Sequence, residues 1–149
     1  MTFRDAKRHG ESGTATIEFA IVLPMMLLLV FGIIEIGRYA YFSIAVSNAA
    51  RAGVQYGAQN MVTADDSTGM QNAALGDAYG ISGLTATATH TCSCSDGTAS
   101  TCQASDCSSS HRLTYVKVTT SGTFQSLLHF PGVPSSFSIS STAVMRAAE

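Results

Sequence analysis

An uncharged apolar run from Phe19 to Ile34, entered through the single acid Glu18, constrains this chain more than any other feature. As a helix the run spans about 24 Å, slightly less than the roughly 30 Å of a bilayer's hydrocarbon core. Ile36 to Phe42 extend it past that thickness if Glu35 and Arg38, one turn apart, pair with each other at the boundary. Pro24 lacks a backbone N–H and crowds the preceding turn, which a membrane helix tolerates with a kink. Tyr39, Tyr41 and Phe42 fall where an aromatic interface belt marks the far end of a span. A single tilted membrane helix is therefore expected. Arg4, Lys7 and Arg8 precede it, whereas Arg38 and Arg51 follow, a balance that favours a cytoplasmic N-terminus and an exported C-terminal part.

The helical pattern continues from Ser43 through Tyr56, with Gly57 as its C-terminal cap. Ala45, Ala49 and Gly53 recur at i, i+4 and i+8, a stripe of small residues that lets another helix approach closely or is only a run of good helix formers. Of the 149 residues 12% are charged, about half the share in soluble globular proteins, and the 46% that are hydrophobic concentrate early. With a net charge of −2 and no basic stripe, nucleic acid is not an expected partner. The sequence holds no nucleophile elbow, no phosphate-cradling glycine loop and no acid pair in a recognisable setting. A non-enzymatic chain without a cofactor is expected.

Beyond Gly57 the character changes. Residues 60–69 are polar and read as a loop, and Met70 to Tyr79 read as a short helix capped from Ser67 or Thr68 and ended by Gly80. From Leu84 the period becomes two: Leu84, Ala86, Ala88, His90, Cys92 and Cys94 alternate with Thr and Ser, as in a half-buried strand. Leu113 to Thr120, with Val116 and Val118 on one face, predict a second strand. Phe137, Ile139, Ala143 and Met145 predict a third, after a breaker-rich connection containing Pro131, Gly132 and Pro134. The expected fold is α+β: a long N-terminal transmembrane helix over residues 14–57, following a basic leader of residues 1–13. It extends into a small head, residues 58–149, with a short helix and a roughly three-stranded antiparallel sheet of open strand order.

Cys92, Cys94, Cys102 and Cys107 crowd into a Ser-, Thr- and Gly-rich segment, a pattern of disulfides in an oxidising compartment. Cys92 and Cys94 point the same way from one strand, so each needs a partner beyond the turn at residues 95–101. The nested pairing, Cys94 with Cys102 and Cys92 with Cys107, is favoured over the crossed one. Zinc held by the cysteines with His90 and His111 competes, but the spacing lacks paired C-x2-C knuckles. A redox role for Cys92 and Cys94 finds no flanking Lys or Arg to depress a thiol pKa. His90 reads as a hydrogen-bonded structural residue and His129 as a solvated one.

Three fates of the N-terminus compete. A secretory signal peptide would be cut after Ala49, far beyond its apolar core and past Glu35 and Arg38. An uncleaved anchor would leave Glu18 merely reaching for the cytoplasmic surface. Cleavage between Gly13 and Thr14 would remove the basic leader, keep the helix and make Glu18 the fifth residue of the mature chain. A basic leader, Gly13, then Glu18-Phe19 and an immediate span together resemble the type IV prepilin signal. Cleavage there creates an ammonium on Thr14 that the Glu18 carboxylate, of the same or a neighbouring helix, can neutralise in a medium where an unpaired charge is costly.

The resemblance extends from Gly13-Thr-Ala-Thr-Ile-Glu-Phe through Pro24, Phe31-Gly32-Ile-Ile-Glu35-Ile-Gly37-Arg38 and Asn48-Ala-Ala-Arg51-Ala-Gly53. This string is similar to the TadE-like family, pseudopilins of the tight-adherence (Flp) pilus. The resemblance implies a minor pseudopilin in a bacterial inner membrane, cut by a prepilin peptidase. It would join other pilins or pseudopilins, in a homo- or hetero-oligomer, through its N-terminal helix. The cysteine-rich insertion of residues 92–107 maps onto no motif of the family. The competing expectation is a permanently anchored binding or adhesion module that uses this loop.

Overall fold

A computed structural model describes residues 12–103, 105–128, 132 and 134–148. The leader cations Arg4, Lys7 and Arg8, together with His129 and Pro131, lie outside the described residues. The chain divides at Arg38 into two compact units, the second being Tyr39–Glu149. The division falls inside the first helix, so residues 39–57 belong to the head and form part of its core.

The helix α1 (Ser12–Gly57) runs without interruption through Pro24. It is followed by α2 (Met61–Asp65) and α3 (Ser67–Asp77), and then by the strands β1 (Thr85–Cys94), β2 (Ala99–Ser100), β3 (Arg112–Gln125) and β4 (Ser136–Arg146). The architecture is the α+β arrangement expected, with one strand more. Every strand pair is antiparallel, and the sheet order is β2-β1-β3-β4.

Two departures from the expected elements have local causes. The polar stretch read as a loop contains α2, because its polar side chains cap helices. The Asn60 side chain accepts from the N–H groups of Val62 (2.9 Å) and Thr63 (3.0 Å), while the Asn60 N–H donates to the Thr63 hydroxyl at 3.1 Å. This is a capping box with Thr in place of the usual Glu or Gln. Asp66 then caps α3 by accepting from the Gly69 N–H at 2.8 Å, and the chain leaves α3 through Gly80 at φ +93°. The second departure is the length of β3, which continues past Ser121-Gly122 where a strand end was expected. Gly122 is there for packing rather than turning: a Cβ at that position would stand 2.9 Å from the Phe42 ring and 3.2 Å from Leu84.

Residues 39–57 of α1 lie lengthwise along β3 and run against its direction. Tyr39 and Phe42 meet Phe124, each edge to face at 5.7 Å between ring centroids. The Val46 carbonyl accepts from the Thr120 hydroxyl at 2.7 Å, Gly53 abuts Val118, and Gly57 abuts Val116. The lengths match, since residues 39–57 rise about 27 Å as a helix while residues 124–116 cover a similar distance as a strand. Met70 and Ala74 of α3, with Val54, Ala64, Ala88, Val116 and Val118, form the core. Each of its larger side chains contributes about 1.5–3 kcal/mol by leaving water. After β4 the Ala148 N–H donates to the Ala58 carbonyl at 2.9 Å and fastens the C-terminal end beside the exit of α1.

Candidate functional site

In the first unit α1 exposes apolar side chains on every side. Consecutive positions such as Val22, Leu23, Met25, Met26 and Leu27 are all exposed, and Met25 reaches 70%. A helix packed in a water-soluble core would hide one stripe and present a polar face elsewhere; an all-round apolar helix belongs in lipid or among other apolar helices. It is a helix long and apolar enough to cross a membrane. Glu35 and Arg38 make the expected pair, with N–O at 2.9 Å, near the end of this stretch.

Gly13 and Thr14 lie in the first turn of α1. Glu18 stands four residues after Thr14, on the same helix face, and is exposed, as is Phe19 at 62%. Among the described residues Glu18 forms no ion pair. The Glu18 carboxylate thus lies one helical turn beyond Thr14.

The small-residue stripe is put to use within the chain. Ala49 and Gly53 are buried and Ala45 is half-buried. A Cβ on Gly53 would stand 2.9 Å from both the Met70 carbonyl oxygen and Val118, so the close approach belongs to β3 and α3. Tyr39 and Phe42, expected from the sequence to lie in an interface belt, pack against Phe124.

The four cysteines form two disulfides, Cys92 with Cys102 (Cα–Cα 5.1 Å) and Cys94 with Cys107 (Cα–Cα 5.5 Å). This is the crossed pairing, and it corrects the nested one favoured from the sequence. The cause is strand register. Residues 95–101 are not one open turn: Gly97 (φ +88°) closes a tight hairpin, and β2 returns along β1 with Ala99 opposite Ser93 and Ser100 opposite Cys92. In an antiparallel return each further residue moves back along β1, so Cys102 travels away from Cys94 and toward Cys92. The chain then reverses at Cys102, a left-handed residue with φ 72°, and brings Cys107 back to Cys94.

Two aspartates organise the stapled loop. Asp106 accepts from the Thr101 N–H (2.6 Å), the Thr101 hydroxyl (2.8 Å), the Ser100 hydroxyl (2.9 Å) and the Gln103 N–H (3.2 Å). These donors, led by the Thr101 and Ser100 hydroxyls, hold its carboxyl below the usual aspartate range. Asp96 is lowered in the same way, chiefly by the Thr98 hydroxyl and N–H and also by the Ser110 hydroxyl. With both carboxylates engaged by donors of the loop itself and all four sulfurs in disulfides, the arrangement works as a structural staple. The zinc reading loses its thiolates. His90, expected to be a hydrogen-bonded structural residue, is exposed on β1 with its Nε2 3.7 Å from Asp65 Oδ1.

Some structurally important side chains carried no sequence signal. Thr120 is fully buried and spends its hydroxyl on the Val46 carbonyl, although Thr in a strand reads as an ordinary β-former. The Tyr56 hydroxyl donates to Asp66 at 2.9 Å, which ties α1 to the cap of α3 and raises the Tyr56 pKa through that bond and the carboxylate's charge.

Residues 13–55 match the family model described as TadE-like protein. The matched stretch begins at Gly13 and ends at Gln55, inside α1, so this part of the chain is similar to that family, in agreement with the resemblance carried by its sequence. No curated protein and no solved structure matches the chain.

Proposed function

We propose that this chain is a non-enzymatic minor pseudopilin of a tight-adherence (Flp) pilus. It is anchored in the bacterial inner membrane through α1, with its N-terminus cytoplasmic and its head exported. A prepilin peptidase cuts it after Gly13, and the retained helix joins other pilins or pseudopilins. The observation that carries this reading is the coincidence of an all-round apolar helix with a TadE-like match that starts at Gly13, the residue preceding the proposed scissile bond. Removing the leader leaves the apolar helix intact and converts Thr14 into an amine one helical turn from Glu18.

The mature N-terminal residue tests the reading. Thr14 is expected in membranes of a host with an active prepilin peptidase, and Met1 when that peptidase is inactivated. An intact Met1 in the active host supports the permanently anchored binding module instead, and a start near Ala50 supports a secreted domain.

A further inference from the structure

The strand β4 is an open edge of the sheet, paired to β3 residue for residue from Ser136 to Arg146 without a bulge. It carries no proline and no charge before Arg146, whereas sheet edges are ordinarily blunted by short length, charges, proline or bulges. Val144 (58% exposed) and Met145 (41% exposed) stand at its end. Beside it runs a groove of about 330 Å³ between β4 and α1, into which Arg51 and Gln55 project from the helix. Among the described residues Arg51 makes no ion pair.

The opposite edge is open as well. Among the described residues β2 covers β1 only at Cys92 and Ser93, which leaves residues 85–91 without a neighbouring strand on that side. The helices beside this edge carry exposed acids, Asp65 at the end of α2 next to His90 of β1, and Asp77 at the end of α3. One edge of the head is thus basic and the other acidic, and each has a bare strand.

We infer that the head binds a second copy of this chain edge to edge, with β4 of one copy adding to residues 85–91 of the next and the Arg51 side facing the Asp65 and Asp77 side. Charge decides between this arrangement and a symmetric one. Antiparallel pairing of two β4 strands turns one head by half a turn about an axis normal to the sheet. That sets the Arg51 side of one copy against the Arg51 side of the other, like charge against like, whereas the head-to-tail contact sets it against the acidic edge. In the head-to-tail arrangement the helices stay parallel. β4 and β1 are then parallel too, because each is antiparallel to β3. Such a contact is heterologous and leaves one open edge on each outer copy, so it repeats. The inference rests on the proposed membrane anchoring and adds to it a contact made by the head.

The test uses the full chain in phosphatidylcholine vesicles, with association read as energy transfer between copies labelled at the C-terminus. Arg51→Glu alone and Asp65→Arg with Asp77→Arg should each weaken association at least about tenfold, since like charges then oppose one another across the contact. An equimolar mixture of the two variants should restore it, because each acidic edge again meets a basic one. Unchanged circular dichroism and the absence of free thiols establish that the variants fold. If the aspartate variant behaves as wild type, the acidic edge takes no part in the contact and the inference falls. Wild-type chains that fail to associate, or variants without effect, also overturn it. Alkaline extraction separates the two readings: a chain stripped from vesicles contradicts the anchoring, whereas an inserted chain that ignores the charge changes contradicts only the edge contact.

Discussion

Single residues on α1 and β3 set how closely helix and sheet approach. Gly122 leaves the space that the Phe42 ring fills, and Phe42 in turn meets Phe124. Gly122→Val should therefore destabilise the head by about 1–3 kcal/mol through overpacking, even though valine is the better strand former. Thermal unfolding followed by circular dichroism measures the loss. Combining it with Phe42→Ala should cost less than the sum of the two single changes, because the two side chains contend for one space. Strict additivity would show that Gly122 is not there for the ring. None of this is visible in the chain alone, where Ser121-Gly122 reads as the end of a strand. The glycine's reason is a contact with a residue eighty positions away.

At the scale of elements, the cysteine loop shows how pairing follows register. The even count and close spacing of Cys92, Cys94, Cys102 and Cys107 are enough to foresee two disulfides. The partners depend on whether the intervening segment is an open turn or a hairpin. Asp96 and Gly97 make it a hairpin, and Cys102 is delivered to Cys92. Removing one native pair, Cys92→Ser with Cys102→Ser, should leave a protein with no free thiol and one disulfide. Cys92→Ser with Cys107→Ser breaks both native pairs at once and should melt lower. Closing a loop of this size is worth roughly 3 kcal/mol in the chain-entropy model, so the difference in melting temperature is measurable. Equal melting temperatures, or free thiols in the first variant, would contradict the crossed pairing. The short α2 was hidden for a related reason. Asn60, Thr63 and Asp66 have loop-like composition, and only their hydrogen bonds show them to be caps.

For the molecule as a whole, the apolar first part of α1 and the head make different demands on their surroundings. The head satisfies its own buried groups: among the described residues no buried side-chain N or O lacks a hydrogen-bond partner. The first part of α1 has its apolar surface exposed and needs lipid or other helices to cover it. Under the proposed function Glu18 sets the axial position of that helix among its neighbours, by pairing with the Thr14 amine, as a lone polar group sets register in a coiled coil. Glu18→Ala should then be cleaved after Gly13 as efficiently as wild type, yet appear in sheared pilus fractions or pilin complexes at a small fraction of the wild-type level. Normal incorporation of the variant would remove the registering role.

Sequence alone was sufficient for the membrane-competent helix, the Glu35–Arg38 pair, the strand faces of β1 and β3 and the TadE-like signature. Each is a local or strictly periodic property, in which the residue types at fixed spacing already determine the outcome. Tertiary structure decided the disulfide partners, the extent of β3 and the close approach of Gly53 to β3 and α3. It also left β1 and β4 as the open edges of the head. These depend on which strand lies beside which and in what register, a relation between segments far apart in the chain that no short window of sequence contains.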